Sequence, residues 1–242
     1  MSNGKSILVD TSLCTACRGC QVACKQWNNL PGTKTKQVGT YQNPQDLSSD
    51  TWKVVRFADG KKEDGKPYWY FFSEMCRHCI MPPCKLSIDM TVKDAVIQDE
   101  ATGAVVYTEK TKKMPFKDVM CPYNIPKQNP KTKVLAKCTM CFDRISEGML
   151  PACVKACPTG TMSFGDRKDM LEKANKRLEE VKKVYKDAML ANPDDVRVIF
   201  LLVDDPKKYH KNAVAENTIG ITRKMALKRL FQPLTHLRQM IG

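Results

Sequence analysis

Cys14-Thr-Ala-Cys17-Arg-Gly-Cys20-Gln-Val-Ala-Cys24 places four cysteines within one short stretch near the start of the chain. Two further groups follow, Cys76-x2-Cys79-x4-Cys84 and Cys138-x2-Cys141-x11-Cys153-x3-Cys157. Cys121-Pro122 stands by itself, and Pro158 follows Cys157. These groups account for all twelve cysteines of the 242-residue chain.

The run C-x2-C-x2-C-x3-C is a spacing that holds iron–sulfur clusters, and a Cys-Pro often closes it. Three closely spaced thiolates on a curling loop can each reach a different iron of one cage. The fourth must come from elsewhere, and in two-cluster proteins the last cysteine of each run ligates the other cluster. That rule groups Cys14, Cys17 and Cys20 with Cys157. It groups Cys138, Cys141 and Cys153 with Cys24. Twelve thiolates at four per cluster give three [4Fe–4S] clusters with none left over. The expected role is to carry electrons.

The middle of the chain reads as half of a second pair. Cys76, Cys79 and Cys84 take Cys121 as their fourth ligand. The other half is missing as a unit. Ferredoxin spacing would put its ligands at Ile88, Thr111, Met114 and Lys117, and none is a cysteine. Loss of one whole set, with no orphan cysteine, points to one cluster site deleted cleanly. Structural zinc also uses C-x2-C pairs, but a C-x2-C-x2-C run is foreign to zinc ribbons. Disulfides suit oxidising compartments, and thiols this closely repeated make poor structural disulfides.

The formal net charge is +14. Each oxidised cluster with its four thiolates carries about −2, so three leave roughly +8. Lysines such as Lys61-Lys62 and Lys207-Lys208 are scattered, and no nucleic-acid-binding motif accompanies them. They read as solvated surface first and as a dock for an acidic partner second. A basic zinc protein binding nucleic acid is the rival from another class. No signal peptide is expected from the first residues. The longest apolar run, Val198 to Val203, is too short to cross a bilayer. No Walker A loop or G-x-G-x-x-G follows a strand, so nucleotide cofactors are not expected. No catalytic acid, base or nucleophile is assigned to this chain.

The first and last cysteine groups must meet, so residues 1–52 and 136–166 are expected to form one module. Residues 53–135 form a second, with strands over Lys53 to Phe57, Tyr68 to Phe72, Ala95 to Ile97 and Ala104 to Tyr107. Turns at Asp59-Gly60 and Asp64-Gly65 separate the first two strands. Residues 28–51 read as a polar loop. Over 167–215 an amphipathic helix from Lys168 to Leu190 precedes a buried strand from Val196 to Val203. Residues 216–242 form a basic amphipathic tail interrupted by Pro233 and suited to docking on a partner. The fold class is α+β: two interlocked ferredoxin-like modules with a C-terminal helical extension. His78, between Cys76 and Cys79, reads as a tuner of cluster potential or simply as a hydrogen-bonded histidine. Trp27, Trp52 and Trp69 read as packing residues.

With Cys17-Arg-Gly-Cys-Gln-Val-Ala-Cys-Lys-Gln-Trp27, Cys76-Arg-His-Cys-Ile-Met-Pro-Pro-Cys84, Cys121-Pro-Tyr-Asn-Ile-Pro126 and Cys138-Thr-Met-Cys-Phe-Asp-Arg144, the chain resembles the iron–sulfur β subunits of molybdenum or tungsten bis-pterin oxidoreductases. Within them it is most similar to the small subunits of the soluble formate dehydrogenases of sulfate-reducing bacteria. The resemblance implies a catalytic α subunit carrying a tungsten or molybdenum bis-pterin. It implies electron flow from α through the cluster of Cys14, Cys17, Cys20 and Cys157. The cluster of Cys24, Cys138, Cys141 and Cys153 comes next, then that of Cys76, Cys79, Cys84 and Cys121. A cytochrome c, another redox protein or a further subunit would receive the electrons. It implies export to the periplasm, already folded, beside a partner with a twin-arginine signal, with the cytoplasm as the alternative. Relatives serving nitrate, sulfoxide or polysulfide reductases share the cysteine motifs and supply the alternative reading.

Overall fold

The computed structural model describes residues 4–215. The expected docking tail, 216–242, lies outside the described residues. In chain order the elements are β1 (Lys5–Asp10), α1 (Gly19–Trp27), β2 (Val54–Lys61), β3 (Pro67–Glu74), α2 (Pro83–Thr91), β4 (Val96–Gln98) and β5 (Val105–Tyr107). They continue with β6 (Lys127–Gln128), β7 (Leu135–Ala136), α3 (Phe142–Ser146), α4 (Ala152–Lys155), β8 (Met162–Asp166), α5 (Arg167–Lys182), β9 (Met189–Ala191) and β10 (Val198–Leu202).

Val198-Ile-Phe-Leu-Leu202 is a continuous apolar run, and every residue in it is buried. Such a run suits an interior strand covered on both faces. β10 lies in a four-stranded sheet of order β8-β1-β10-β9. It runs parallel to β1, pairing Ile7 with Val198, and antiparallel to β9. The chain's first strand is therefore held against nearly its last described residues. Residues 167–215 supply an interior strand and an edge strand to the sheet that also carries β1.

α5 buries Met170, Ala174 and Val181 along one stripe and packs on β1 and β8. The helix stops at Lys182, short of the expected Leu190. Val184 and Tyr185 close turns onto the Val181 carbonyl. Met189–Ala191 then pairs with β10. The helical periodicity continues through Tyr185 and Ala188, but these lie in turns, and strand pairing at the sheet edge takes Met189–Ala191.

The expected hairpin is present as β2–β3, with Lys61 opposite Pro67. Asp59-Gly60, expected as a turn, instead lies inside β2. Gly60 faces Tyr68, and a Cβ there would stand 2.8 Å from the tyrosine ring. The glycine makes room for an aromatic side chain. The turn itself is at Asp64-Gly65, where Gly65 takes φ +79°. An aromatic seam joins the hairpin to the sheet: Phe72 meets Phe200 at 4.5 Å between ring centroids, and Tyr70 stacks on Tyr209 at 4.8 Å. The loop over 28–51 crosses α1. There Lys25 Nζ donates to the Pro31 and Asp50 carbonyls and Gln21 Nε2 to the Asn43 carbonyl.

Candidate metal centres

The three C-x2-C loops share one backbone device. The residue before the second cysteine is left-handed in each: Ala16 at φ +56°, His78 at +45° and Met140 at +62°. None of these is glycine, and the conformation is uncommon for them. It curls the loop back on itself and turns backbone N–H groups toward sulfur. His78 N donates to Cys76 Sγ at 3.4 Å, and Met140 N donates to Cys138 Sγ at 3.3 Å. Hydrogen bonds to cluster sulfurs are one of the levers on reduction potential.

Cys76, Cys79, Cys84 and Cys121 line one enclosed cavity, with Arg77, His78, Tyr123 and Lys137 around it. Cys24, Cys138, Cys141 and Cys153 line a second, with Lys53 and Met75. Cys14 lies within electrostatic reach of Cys17 and Cys157, and Cys20 within reach of Cys14 and Cys157. Gly19 holds this last group together. A Cβ on it would press on the Ala156 carbonyl at 3.3 Å and sit 3.6 Å from Cys17 Sγ. Cysteines from segments distant in sequence thus line each of the two cavities, and Cys14, Cys20 and Cys157 are neighbours across the chain.

All twelve cysteines are free of disulfides. Among the described residues, no three Cys, His, Asp or Glu side chains converge tightly enough to ligate one metal ion. Four sulfurs around a shared space suit a polynuclear group, each binding its own iron. The donor set is all thiol, and it fits [4Fe–4S] chemistry.

Burial pushes most of these thiols upward. The Cys20, Cys121 and Cys141 thiols rise to about 11, and Cys24 to about 12. Cys14, Cys79, Cys84 and Cys138 are raised by the same cause. Cys157 differs. Burial pushes it up, but hydrogen bonds from the Met162 and Thr159 backbone and the Thr159 and Thr161 hydroxyls outweigh this and hold it below the usual thiol range. Pro158 and the threonines after it therefore form an anion-stabilising turn.

The sulfur groups are also electrostatic neighbours in sequence. Cys20 of the first quartet feels Cys153 of the second. Cys138 of the second feels Cys76 of the third. His78 is buried, and its Nδ1 accepts from Val105 N at 3.0 Å. Burial, with Lys137 and Arg197 nearby, pushes its pKa well below the usual range, so it is neutral. Trp27 Nε1 donates to Asp143 Oδ2 at 2.7 Å, and Trp52 Nε1 to the Ser49 carbonyl at 2.7 Å. Trp69 lies beside Tyr41 with ring centroids 5.8 Å apart.

Three of the four positions where ferredoxin spacing would put a further ligand set are buried: Ile88, Thr111 and Met114. Ile88 and Met114 belong to a small separate core with Ala95, Val96, Val105 and Leu135. Thr111 Oγ1 accepts from Leu135 N at 3.1 Å. Lys117 is exposed. Side-chain packing fills that region, so it should behave as ordinary core. Met114→Ala is expected to cost about 2–5 kcal/mol. Denaturant unfolding of the iron-loaded chain measures it, and a change below about 1 kcal/mol would mean the region is loosely packed.

Nothing in the local sequence marks three buried cations around these cavities: Lys53, Arg77 and Lys137. Arg77 lies against the Phe72, Tyr123 and Phe200 rings at 4.5–5.0 Å. Lys137 Nζ donates to the Val105 and Cys138 carbonyls and faces the Tyr107 ring. A lysine or arginine beside a cysteine loop is ordinarily surface, and only tertiary burial distinguishes these three.

Residues 67–167 match the family of the 4Fe-4S dicluster domain. The chain is 51% identical over 214 residues to the formate dehydrogenase subunit beta of Megalodesulfovibrio gigas, covering 87% of this chain and 99% of that one. It is 50% identical over 214 residues to the formate dehydrogenase 2 subunit beta (cytochrome c-553) of Nitratidesulfovibrio vulgaris Hildenborough, covering 86% and 98%. The nitrate-inducible formate dehydrogenase iron–sulfur subunit of Escherichia coli K12 is 39% identical over 210 residues, covering 84% of this chain and 70% of that one.

Proposed function

The chain belongs to the iron–sulfur subunits of formate dehydrogenases, and from that premise we propose that it conducts electrons through three [4Fe–4S] clusters between a catalytic subunit and a redox partner. Cys14, Cys17, Cys20 and Cys157 hold the first cluster. Cys24, Cys138, Cys141 and Cys153 hold the second. Cys76, Cys79, Cys84 and Cys121 hold the third. Bound clusters supply one-electron storage at each station. The protein supplies the thiolates, the N–H donors to sulfur and the burial that excludes water.

The observation that carries the route is the neighbour relation of the sulfurs. The first quartet reaches the second through Cys20 and Cys153. The second reaches the third through Cys138 and Cys76. Exposed apolar side chains lie in the segments at both ends of this series. Leu13, Val22 and Trp27 lie in or beside the first cysteine run, while Met81, Leu86 and Met120 lie in or beside the third group. Exposed apolar residues beside both end groups suit a protein with a partner at each end.

Formate oxidation to carbon dioxide, or its reverse, takes place at a tungsten or molybdenum bis-pterin on the catalytic subunit. A cytochrome c is the favoured acceptor, in keeping with the cytochrome named for the Nitratidesulfovibrio relative. The complex works in the periplasm. Isolating it from its host tests all of this. The expected composition is about twelve irons and as many acid-labile sulfides for this subunit, with formate reducing them all. A catalytic partner that reduces nitrate, a sulfoxide or polysulfide, and ignores formate, would overturn the assignment.

The tail, 216–242, sets Leu227, Leu230, Leu234 and Leu237 against Arg223, Lys224, Lys228, Arg229 and Arg238. Its proposed use is to dock a partner subunit. Truncation after Ala215 should leave the iron content whole and weaken the complex. Unchanged subunit composition and unchanged turnover with the natural acceptor would remove that role.

A further inference from the structure

Lys53 lies at the entry to β2 and is only 2% exposed. Its Nζ sits 2.9 Å from Met75 Sδ and 3.5 Å from the Ser73 carbonyl. A thioether is a weak acceptor, and 3.5 Å is long for a hydrogen bond. Among the described residues, Lys53 forms no ion pair with a carboxylate. Arg77 and Lys137, the other cations buried here, have aromatic faces and carbonyls around them. Lys53 has the poorest conventional support of the three.

A buried ammonium without a counter-charge is driven to lose its proton. The counter-charges within reach of Lys53 are the sulfurs of Cys153, Cys20, Cys138 and Cys24. Those four belong to two different quartets. Cys14 of the first quartet also lies within its electrostatic reach. The Lys53 side chain also lines the cavity formed by Cys24, Cys138, Cys141 and Cys153. The lysine stands between the first and second sulfur groups, and what neutralises it is sulfur.

We propose that Lys53 is a shared counter-cation for the first two clusters, a positioning residue that raises both of their reduction potentials relative to a neutral side chain. The inference rests on the cluster assignment above. Each cluster gains one negative charge on reduction. A fixed positive charge in a low-dielectric interior favours that gain. One cation shared by two stations lifts them together, which keeps neighbouring potentials matched for transfer in either direction. The third quartet has Arg77 and Lys137 beside it and does not depend on Lys53.

The test uses the native complex carrying Lys53→Met, Lys53→Gln or Lys53→Arg. Iron and acid-labile sulfide are assayed first, and each cluster is then titrated by redox potentiometry with EPR detection. A wild-type complex without three [4Fe–4S] signals would defeat the cluster assignment itself, independently of Lys53. Given three signals, the neutral variants should keep full iron and show two clusters shifted to more negative potential. The third should not move, and Lys53→Arg should stay near wild type. No shift, or an equal shift of all three, overturns the proposal. If both neutral variants lose iron while Lys53→Arg keeps it, the positive charge serves cluster assembly rather than potential and the proposal fails. If Lys53→Arg loses iron as well, the residue acts by its shape and the proposal fails.

Discussion

Replacing Cys79 with serine is expected to separate formate chemistry from electron delivery. Cys79 lies on the loop whose left-handed His78 turns the backbone around the third sulfur group. It lines the same cavity as Cys76, Cys84 and Cys121. A serine hydroxyl is a poor iron ligand at neutral pH, because it remains protonated where a thiol can ionise. The variant should lose one cluster, about four irons, and keep the other two. In the proposed assignment the first two quartets draw no ligand from residues 53–135. Formate oxidation measured with a small dye that accepts electrons early in the chain should therefore persist. Turnover with the natural acceptor should fall by more than about tenfold, which corresponds to at least about 1.4 kcal/mol of added barrier. Equal loss with both acceptors would place the third group upstream, or make it essential to assembly. Iron analysis tells those two apart.

The same substitution also tests the connection between the cysteine loop and the sheet. Arg197 N and Val198 N, at the start of β10, donate to the Arg77 carbonyl, both at 3.0 Å. Ile80 N donates to the Asp195 carbonyl at 2.9 Å. Losing the third cluster should therefore speed amide exchange at Ile80, Arg197 and Val198 before it reaches the centre of β10. Unchanged protection there would mean that the backbone stitching stands without the cluster.

The iron–sulfur character was legible in the sequence because ligand spacing is a local property. Three cysteines on one curling loop need only short separations, and the crossed fourth ligand follows a known rule. The apolar run from Val198 was legible for the same reason, since a strand buried on both faces has no polar residue to hide. What the sequence withheld depends on partners far along the chain. Periodicity carried α5 past Lys182 because Tyr185 and Ala188 kept the helical phase, and nothing local announced that Met189–Ala191 would pair with β10. Asp59-Gly60 looked like a turn because glycine's other use, making room for a ring across the ladder, requires knowing that Tyr68 lies opposite. Lys53 was the largest omission. One lysine beside Val54 and Val55 reads as the solvent-facing member of a strand. Its burial becomes visible only when two cysteine groups, from opposite ends of the chain, close around it.

Stripping iron from the chain should unfold it, and the pH dependence of what remains should identify why. Structural metal sites contribute on the order of 10 kcal/mol each to folding, while an entire domain is stable by about 5–15 kcal/mol. Loss of three clusters exceeds that margin. It leaves Lys53, Arg77 and Lys137 buried beside thiols that burial keeps protonated. Oxidation in the presence of a chelator should therefore abolish the cooperative denaturant transition of the loaded protein. Any compact metal-free form has a definite pH signature. Its thiols are raised from the ordinary 9.0 to about 11 at Cys20, Cys121 and Cys141, and to about 12 at Cys24. The folded chain then holds these protons more tightly than the unfolded one. Their contribution to stability is complete below about pH 9 and is lost as pH rises through 9 toward 12, because the unfolded thiols ionise first. Rebuilding the clusters runs the other way, since each ligand must give up its proton, and so is favoured as pH rises. Near-UV circular dichroism across pH 7–12 measures the first effect, and iron uptake under anaerobic reconstitution measures the second. An iron-free chain with the same transition as the loaded one would show that apolar packing alone holds the fold.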